Sequence, residues 1–380
     1  MLPSKLPEVG TTIFSQMSAL AATHQALNLS QGFPDFPAPE ALRQALAKHA
    51  LEGHNQYAPM AGLPELRDAI ARQLARHRNI SCNPDTEITV LPGATEAIYC
   101  AITACVMPGD EVILLDPCYD SYRPAVLLAG GHPVHVPLSA GDFTPDWGRI
   151  EAAISARTTL LVINSPHNPT GAVLTHEDLT ILSALVVKHG LLVVSDEVYE
   201  YLVYDNHRHH SALQFEALRA ATFAVFSFGK TYGVTGWKTG YCVAPPALTA
   251  ELRKIHQYVC FVAVTPVQQA LTDFMAAEPD YPLTLAALYQ HKRDLFNSAL
   301  AHSRFQLRPS AGSYFQLLDY SDISTAADTQ LCTQWTREFG VASIPVSVFH
   351  QQPPTQNLLR FCFAKRDNVL EQAAEQLCRI

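Results

Sequence analysis

Apolar positions in this chain follow two patterns. Between residues 86 and 244 they form short continuous runs, at 86–91, 111–115, 159–163, 191–194, 222–226 and 240–244. Each run is too short for a helix and rich in strand-forming residues, and each of the first five leads into a stretch with helix-breaking or polar residues. Helical spacing intervenes, as through Ala97, Ala101 and Ala104 up to the stop at Pro108 and Gly109. A strand apolar on both faces is covered on both faces. Strands of this kind alternating with helices predict an α/β fold: a mostly parallel sheet flanked by helices.

Outside that span the pattern changes. Residues 13–22 form a short amphipathic piece, and 28–37 read as a loop from their Gly and Pro content. Helices are predicted over 39–51 and from Pro64, a favoured first-turn residue, to Arg78. The irregular stretch 53–62 between them presents one aromatic, Tyr57. Past residue 280 a long helix is predicted through Leu283, Leu285, Leu288 and Leu295, followed by strands at 313–318 and 357–363. The expected organisation is a segment, 1–40, packing with the small domain; a large domain, 41–280; and a small α+β domain, 281–380.

With 380 residues there is room for two domains and a sizeable core. A net charge of −9 with no basic block excludes a typical nucleic-acid binder. Nine cysteines without a C-x-x-C pair suggest neither a disulfide framework nor a zinc site, and no metal is expected. No apolar stretch reaches the roughly 18 residues that span a membrane, and the start of the chain lacks the pattern of a secretory signal. The expectation is a cytoplasmic protein with no membrane or nucleic-acid partner. The run His207-Arg-His-His210 is expected to be a polar surface turn.

Candidate chemistry collects where the apolar runs end. Thr95, Tyr119, Asn168, Asp196 and Lys230 each follow the carboxyl end of a predicted strand, the rim at which open α/β sheets bind ligands. Lys230 lies in Ser227-Phe-Gly-Lys230-Thr-Tyr-Gly, which reads as an irregular Gly-rich loop. An amine partly stripped of water there loses basicity and becomes a nucleophile toward aldehydes. The stretch is no phosphate-binding P-loop, because Ala224 stands where that motif needs Gly. Ser227-x-x-Lys230 and Lys238-Thr-Gly240 lie too close together to be the serine motifs of penicillin-binding enzymes.

Gly93-Ala94-Thr95 at a helix start offers N–H groups and a hydroxyl to a phosphate, to which Ser227 and Lys238 add a hydroxyl and a charge. Asp196 adds a carboxylate, Tyr199 a phenol, Tyr119 a flat ring and Lys230 an amine. Pyridoxal 5′-phosphate demands this set: a phosphate cup, an acid opposite the ring nitrogen, a stacking ring and a Schiff-base lysine. Arg360, flanked by apolar residues in a strand, needs an anionic partner because it cannot neutralise itself.

Four motifs in this order resemble the class I, fold type I pyridoxal-phosphate aminotransferases over nearly the whole chain. They are Asn164-Ser-Pro-His-Asn168-Pro-Thr-Gly171, Ser195-Asp-Glu-Val-Tyr199, Ser227-Phe-Gly-Lys230 with Gly236-Trp-Lys238, and Leu359-Arg360-Phe361. The chain looks closest to the kynurenine/glutamine-type branch and, within it, to the bacterial methionine aminotransferases. The resemblance implies that Lys230 is the Schiff-base lysine and proton shuttle. It implies that Asp196 pairs with the ring nitrogen, Asn168 and Tyr199 hold the ring oxygen, and Tyr119 stacks. Ala94, Thr95, Ser227 and Lys238 would hold the phosphate, with Lys238 standing where many relatives carry Arg. Arg360 would grip the substrate carboxylate, helped by Gly32 and Asn168. A homodimer with shared sites is implied, with Tyr57 reaching the partner's phosphate.

For the substrate side chain, Phe14, Tyr57 and Phe261 are the implied walls, and no Arg or Lys occurs between Lys254 and Lys292. An apolar or aromatic amino acid is therefore expected as donor and a 2-oxo acid as acceptor, methionine foremost, then phenylalanine, tyrosine, histidine or kynurenine. The alternative on the same residues is a pyridoxal-phosphate β-lyase acting on cysteine S-conjugates. A nicotinamide dehydrogenase is disfavoured because no G-x-G-x-x-G follows a strand. A regulator built on this fold would carry an appended DNA-binding region, and the motifs consume the whole chain.

Overall fold

The computed structural model describes residues 4–352 and 354–380. Helix α1 (Ile13–His24) starts where the Thr12 side chain accepts from Ser15 N, and ends at Gln25 in the left-handed region. Strand β1 (Leu27–Asn28) follows, and then α2 (Glu40–Leu51) and α3 (Pro64–Arg78). Pro64 opens α3 because a first-turn N–H has no helical partner to lose.

The main sheet is built from β2 (Ile88–Leu91), β3 (Glu111–Asp116), β4 (His132–Pro137), β5 (Thr158–Asn164), β6 (Leu192–Asp196), β7 (Thr222–Ser227) and β8 (Gly240–Val243). Their spatial order is β2-β8-β7-β6-β5-β3-β4. Only β8 runs against the others, pairing antiparallel with both β2 and β7. Buried apolar side chains cover both faces: Val112, Leu114, Leu160 and Val162 on one, Ile113, Leu161, Ile163 and Val193 on the other. The edge strand β4 was not expected. It carries two Pro and two His with only Val136 buried, so it lacks the continuous apolar run that marks its neighbours.

Helix α4 (Ala94–Cys105) returns from β2 across one face. It is preceded by Gly93 at φ +86, a conformation side chains resist. A one-turn helix, Phe228–Thr231, follows β7, so Lys230 sits on a helical turn and not in the irregular loop expected. The turn closes because the Tyr232 N–H reaches Phe228 O at 2.8 Å.

The second sheet comprises β9 (Gln306–Leu307), β10 (Phe315–Asp319), β12 (Ile344–Pro345) and β13 (Leu358–Cys362), in the order β12-β13-β10-β9. Strand β11 (Val341–Ala342) instead pairs in parallel with β1. Met17, Ala21 and Leu29 from the N-terminal segment are buried in the same cluster as Phe315, Leu331 and Trp335. The helix leading to this region starts at Leu285 and runs to Ala299, after a 3-10 turn over Tyr281–Thr284. Leu283 and Leu288, expected on its apolar stripe, are exposed, and Tyr289 and Phe296 take the buried face with Leu285. Among the described residues, no helix is long and apolar enough to cross a membrane.

Candidate active site

The parallel strands deliver their carboxyl ends to one rim, and a cavity of about 290 Å³ opens there. It is lined by Phe14, Gly32, Ala94, Thr95, Tyr119, Asn168, Asp196, Tyr199, Ser227, Lys230, Lys238 and Arg360, together with Ile98, Val198 and Phe315. Every residue expected at the site is therefore brought together within one chain, except Tyr57 and Phe261. Those two lie outside the cavity with their rings edge-to-face at 5.4 Å, and Tyr57 is 82% exposed.

Asp196 ends β6 and is buried. Burial pushes its carboxyl up to about 6, against the pull of two donors, the Tyr122 hydroxyl at 2.6 Å and the Val198 N–H at 3.3 Å. Asn164, at the end of β5, donates to Asp196 O at 2.8 Å and accepts from the Asn168 N–H at 2.8 Å. One amide thus fixes the acid-bearing strand to the loop that carries Asn168. Sequence reasoning missed Tyr122 and Asn164 as contributors. Tyr122 falls on the first turn of a helix, Tyr122–Leu128, whose start lies three residues past Tyr119. That i, i+3 spacing was the available signal.

The Lys230 amine donates to Tyr314 Oη at 2.8 Å and to Gly32 O at 3.2 Å. Loss of hydration lowers its pKa to about 8, so near neutrality a useful fraction is the free, nucleophilic amine. At the opposite wall, Lys238 holds a left-handed backbone at φ +49 and directs its amine toward the start of α4. A Cβ built on Gly93 would stand 3.3 Å from Lys238 Nζ. Gly240 allows β8 to pass beneath, since a Cβ there would meet Phe226 O at 2.5 Å and Ala94 N at 3.1 Å. A helix N-terminus, an ammonium and the Thr95 and Ser227 hydroxyls thus line one cavity, a donor set whose chemistry suits a dianionic phosphate.

Arg360 is fully buried in the middle of β13. Its Nη1 donates to Asn168 Oδ1 at 2.8 Å and its Nη2 to Ser30 O at 2.9 Å, while Nε is buried with no partner. The rings of Phe315, Phe14 and Phe349 lie 4.0, 5.2 and 5.4 Å from its guanidinium carbon. Among the described residues it makes no ion pair. Burial works against the charge, and the faces of three aromatic rings offset only part of that cost. Among the described residues, no carboxylate supplies the anion expected from the sequence.

The histidine run keeps His207 and Arg208 exposed, as expected of a surface turn, and departs from it at His209. His209 turns inward and meets Glu197 Oε2 at 2.9 Å, with both side chains buried. The main chain turns there to bring 209–212 against the Glu197 carboxylate, which also accepts from Ala212 N.

The model of the "aminotransferase class I and II" family matches residues 24–377. The chain belongs to that family. This aminotransferase is 50% identical to the methionine aminotransferase of Escherichia coli K12, over 98% of its own length and 97% of the relative's. A solved E. coli structure, described as identifying a methionine aminotransferase function, superposes at a TM-score of 0.98 with 49% identity, covering all of both chains. The N-succinyldiaminopimelate aminotransferase of Mycobacterium tuberculosis superposes at 0.96 with 38% identity, again over the whole of both chains. A kynurenine–oxoglutarate transaminase of Dictyostelium discoideum is 34% identical over all of this chain and 96% of the relative.

Enzymes of this family work with pyridoxal 5′-phosphate. The aminotransferase has a matching set: a buried acid, an amine of lowered basicity, and an anion cradle that a Cβ at Gly93 would crowd. The residues present fit the cofactor.

Proposed function

We propose that this aminotransferase moves the amino group of methionine, and of other amino acids with apolar or aromatic side chains, to a 2-oxo acid. The observation that carries the reading is the buried Arg360 guanidinium, which has no carboxylate partner among the described residues and a free Nε, in the same cavity as the Lys230 amine. An α-carboxylate docked on Arg360 gives it the anion it lacks and leaves the amino acid's nitrogen and Cα facing Lys230.

Pyridoxal phosphate, when bound, supplies a carbonyl for the amino group and a ring that takes up the electrons released at Cα. Asp196 would hold a proton on the ring nitrogen, Asn168 and Tyr199 would orient the ring oxygen, and the Tyr119 ring would stack on the cofactor. Ala94, Thr95, Ser227 and Lys238 would hold the phosphate. Lys230 acts as base and acid at Cα, for which a pKa of about 8 is well placed. Gly32 and Asn168 support the carboxylate.

Phe14, Ile98, Val198 and Phe315 add apolar walls, and besides Lys230, Lys238 and Arg360 the cavity lining, which also includes Gln31, Thr235 and Thr239, offers no cation to a second carboxylate. Each methylene buried there contributes about 0.8 kcal/mol, whereas an unpaired carboxylate would cost several kcal/mol. The exposed aromatic pair Tyr57 and Phe261, with Tyr258 and Val264 also exposed, supports a homodimer in which Tyr57 reaches the partner's phosphate and Phe261 helps to line the partner's pocket. The enzyme is taken to be cytoplasmic, with an N-terminal arm (1–40), a cofactor domain (41–280) and a small domain (281–380).

The experiment is kcat/KM across amino donors with one fixed 2-oxo acid. Methionine and phenylalanine should exceed aspartate by at least about 100-fold, corresponding to a difference of nearly 3 kcal/mol. Aspartate equal to methionine would refute the apolar pocket. Pyruvate and ammonia formed from a cysteine conjugate faster than any transamination would favour the β-lyase instead.

A further inference from the structure

Tyr314 belongs to none of the roles above, yet its hydroxyl touches the reactive amine. The residue directly precedes β10, is fully buried, and packs its ring edge-to-face on Tyr199 with centroids 5.0 Å apart. Its Oη lies within hydrogen-bonding distance of both Gly32 O and Lys230 Nζ. A carbonyl can only accept, so the single hydroxyl proton goes to Gly32 O. The oxygen's lone pairs then face Lys230, whose N–H donates to them.

We propose that Tyr314 is a positioning residue which, with the Gly32 carbonyl, berths the Lys230 amine whenever it is not bonded to the cofactor and aims it for proton transfer. This rests on the reading of Lys230 as the acid–base group. The berth is a holding device and not a proton relay. Burial raises the Tyr314 phenol well above its usual range, so the hydroxyl keeps its proton and has none to exchange with the amine.

The berth also has a particular construction. Gly32 comes from the N-terminal segment, Tyr314 from the residue just before β10 of the second sheet, and Lys230 from the turn after β7 in the main sheet. A Cβ on Gly32 would come within 2.8 Å of the Phe315 ring, so the segment and the second sheet are already in close contact at this point. A lysine amine sits at the end of a long flexible stem and would otherwise wander. Two oxygens presented from separate parts of the fold restrict this one to a single direction.

The test is Tyr314→Phe, which keeps the ring and removes only the hydroxyl. In cofactor-free protein, the rate at which Lys230 captures pyridoxal phosphate is followed by visible absorption as a function of pH. Its midpoint reports the amine, and should fall by about one pH unit when the ammonium loses an acceptor. In the loaded enzyme kcat should fall about tenfold with KM within about twofold. A midpoint that does not move, or an unchanged kcat, overturns the proposal. Lys230→Ala run alongside separates the two ideas: covalent capture or turnover in that variant would refute the role of Lys230 itself, whatever Tyr314 does.

Discussion

The Tyr122 hydroxyl donates to Asp196 Oδ2 at 2.6 Å, and both groups are buried. It is the largest influence keeping the Asp196 carboxyl from rising further under burial. A hydrogen bond to a charged group contributes about 1.5–3 kcal/mol, equivalent to one pH unit or somewhat more.

Tyr122→Phe should therefore move Asp196 from about 6 to 7 or above. In cofactor-free protein the Asp196 titration, followed by 13C NMR of the carboxyl, should be displaced upward by about one unit. A titration that stays in place would mean that another donor governs Asp196.

Arg360→Met keeps a long apolar stem among Phe14, Phe315 and Phe349 while deleting the charge. Affinity should drop roughly 10- to 150-fold for every amino acid alike, because the lost contact is to the carboxylate they share. The comparison is KM, or single-turnover half-saturation, for methionine, phenylalanine and leucine. A loss confined to one of them would assign Arg360 to side-chain selection.

His167 offers a test of stability. It is buried between Pro166 and Asn168, with Nδ1 2.7 Å from the Thr170 hydroxyl, and burial lowers its pKa to about 4. Its unfolded value is about 6.5. The folded protein thus binds this proton less readily than the unfolded chain, so stability is full above pH 6.5 and is lost as pH falls toward 4. Between pH 7 and 4.5 the loss from this group should be about 2.5 kcal/mol. In His167→Gln, urea unfolding at those two pH values should show a gap smaller by about that amount. An equal gap in both proteins would show that the ring takes up its proton in the folded state without cost.

The legible parts of the fold were those whose sequence repeats one physical requirement many times. The main strands apart from β4 are continuously apolar because both faces are covered, and α3 begins at the Pro that announced it. β4 was silent because an edge strand beside solvent has no such requirement. Within the site, Asp196, Lys230 and Arg360 were legible because a charge next to an apolar strand needs a reason. Tyr122, Asn164 and Tyr314 were not, since a tyrosine or asparagine among apolar residues reads equally well as packing. Their roles depend on which oxygen ends up 2.6–2.8 Å from which partner, and only the folded chain determines that.

The reversed direction of β8 constrains how this chain can vary. A parallel strand presents its exit to the rim, but β8 runs backward and presents its entrance, with Gly240 paired to Ser227 across the turnaround. Lys230 just after β7 and Lys238 just before β8 are therefore the two ends of a single connection, and in the reading proposed above one would face the carbonyl end of the cofactor and the other its phosphate. The distance between those ends would then be matched to the cofactor molecule, so residues 228–239 would act as a ruler of fixed length. Insertions that a surface loop would absorb should be rejected here.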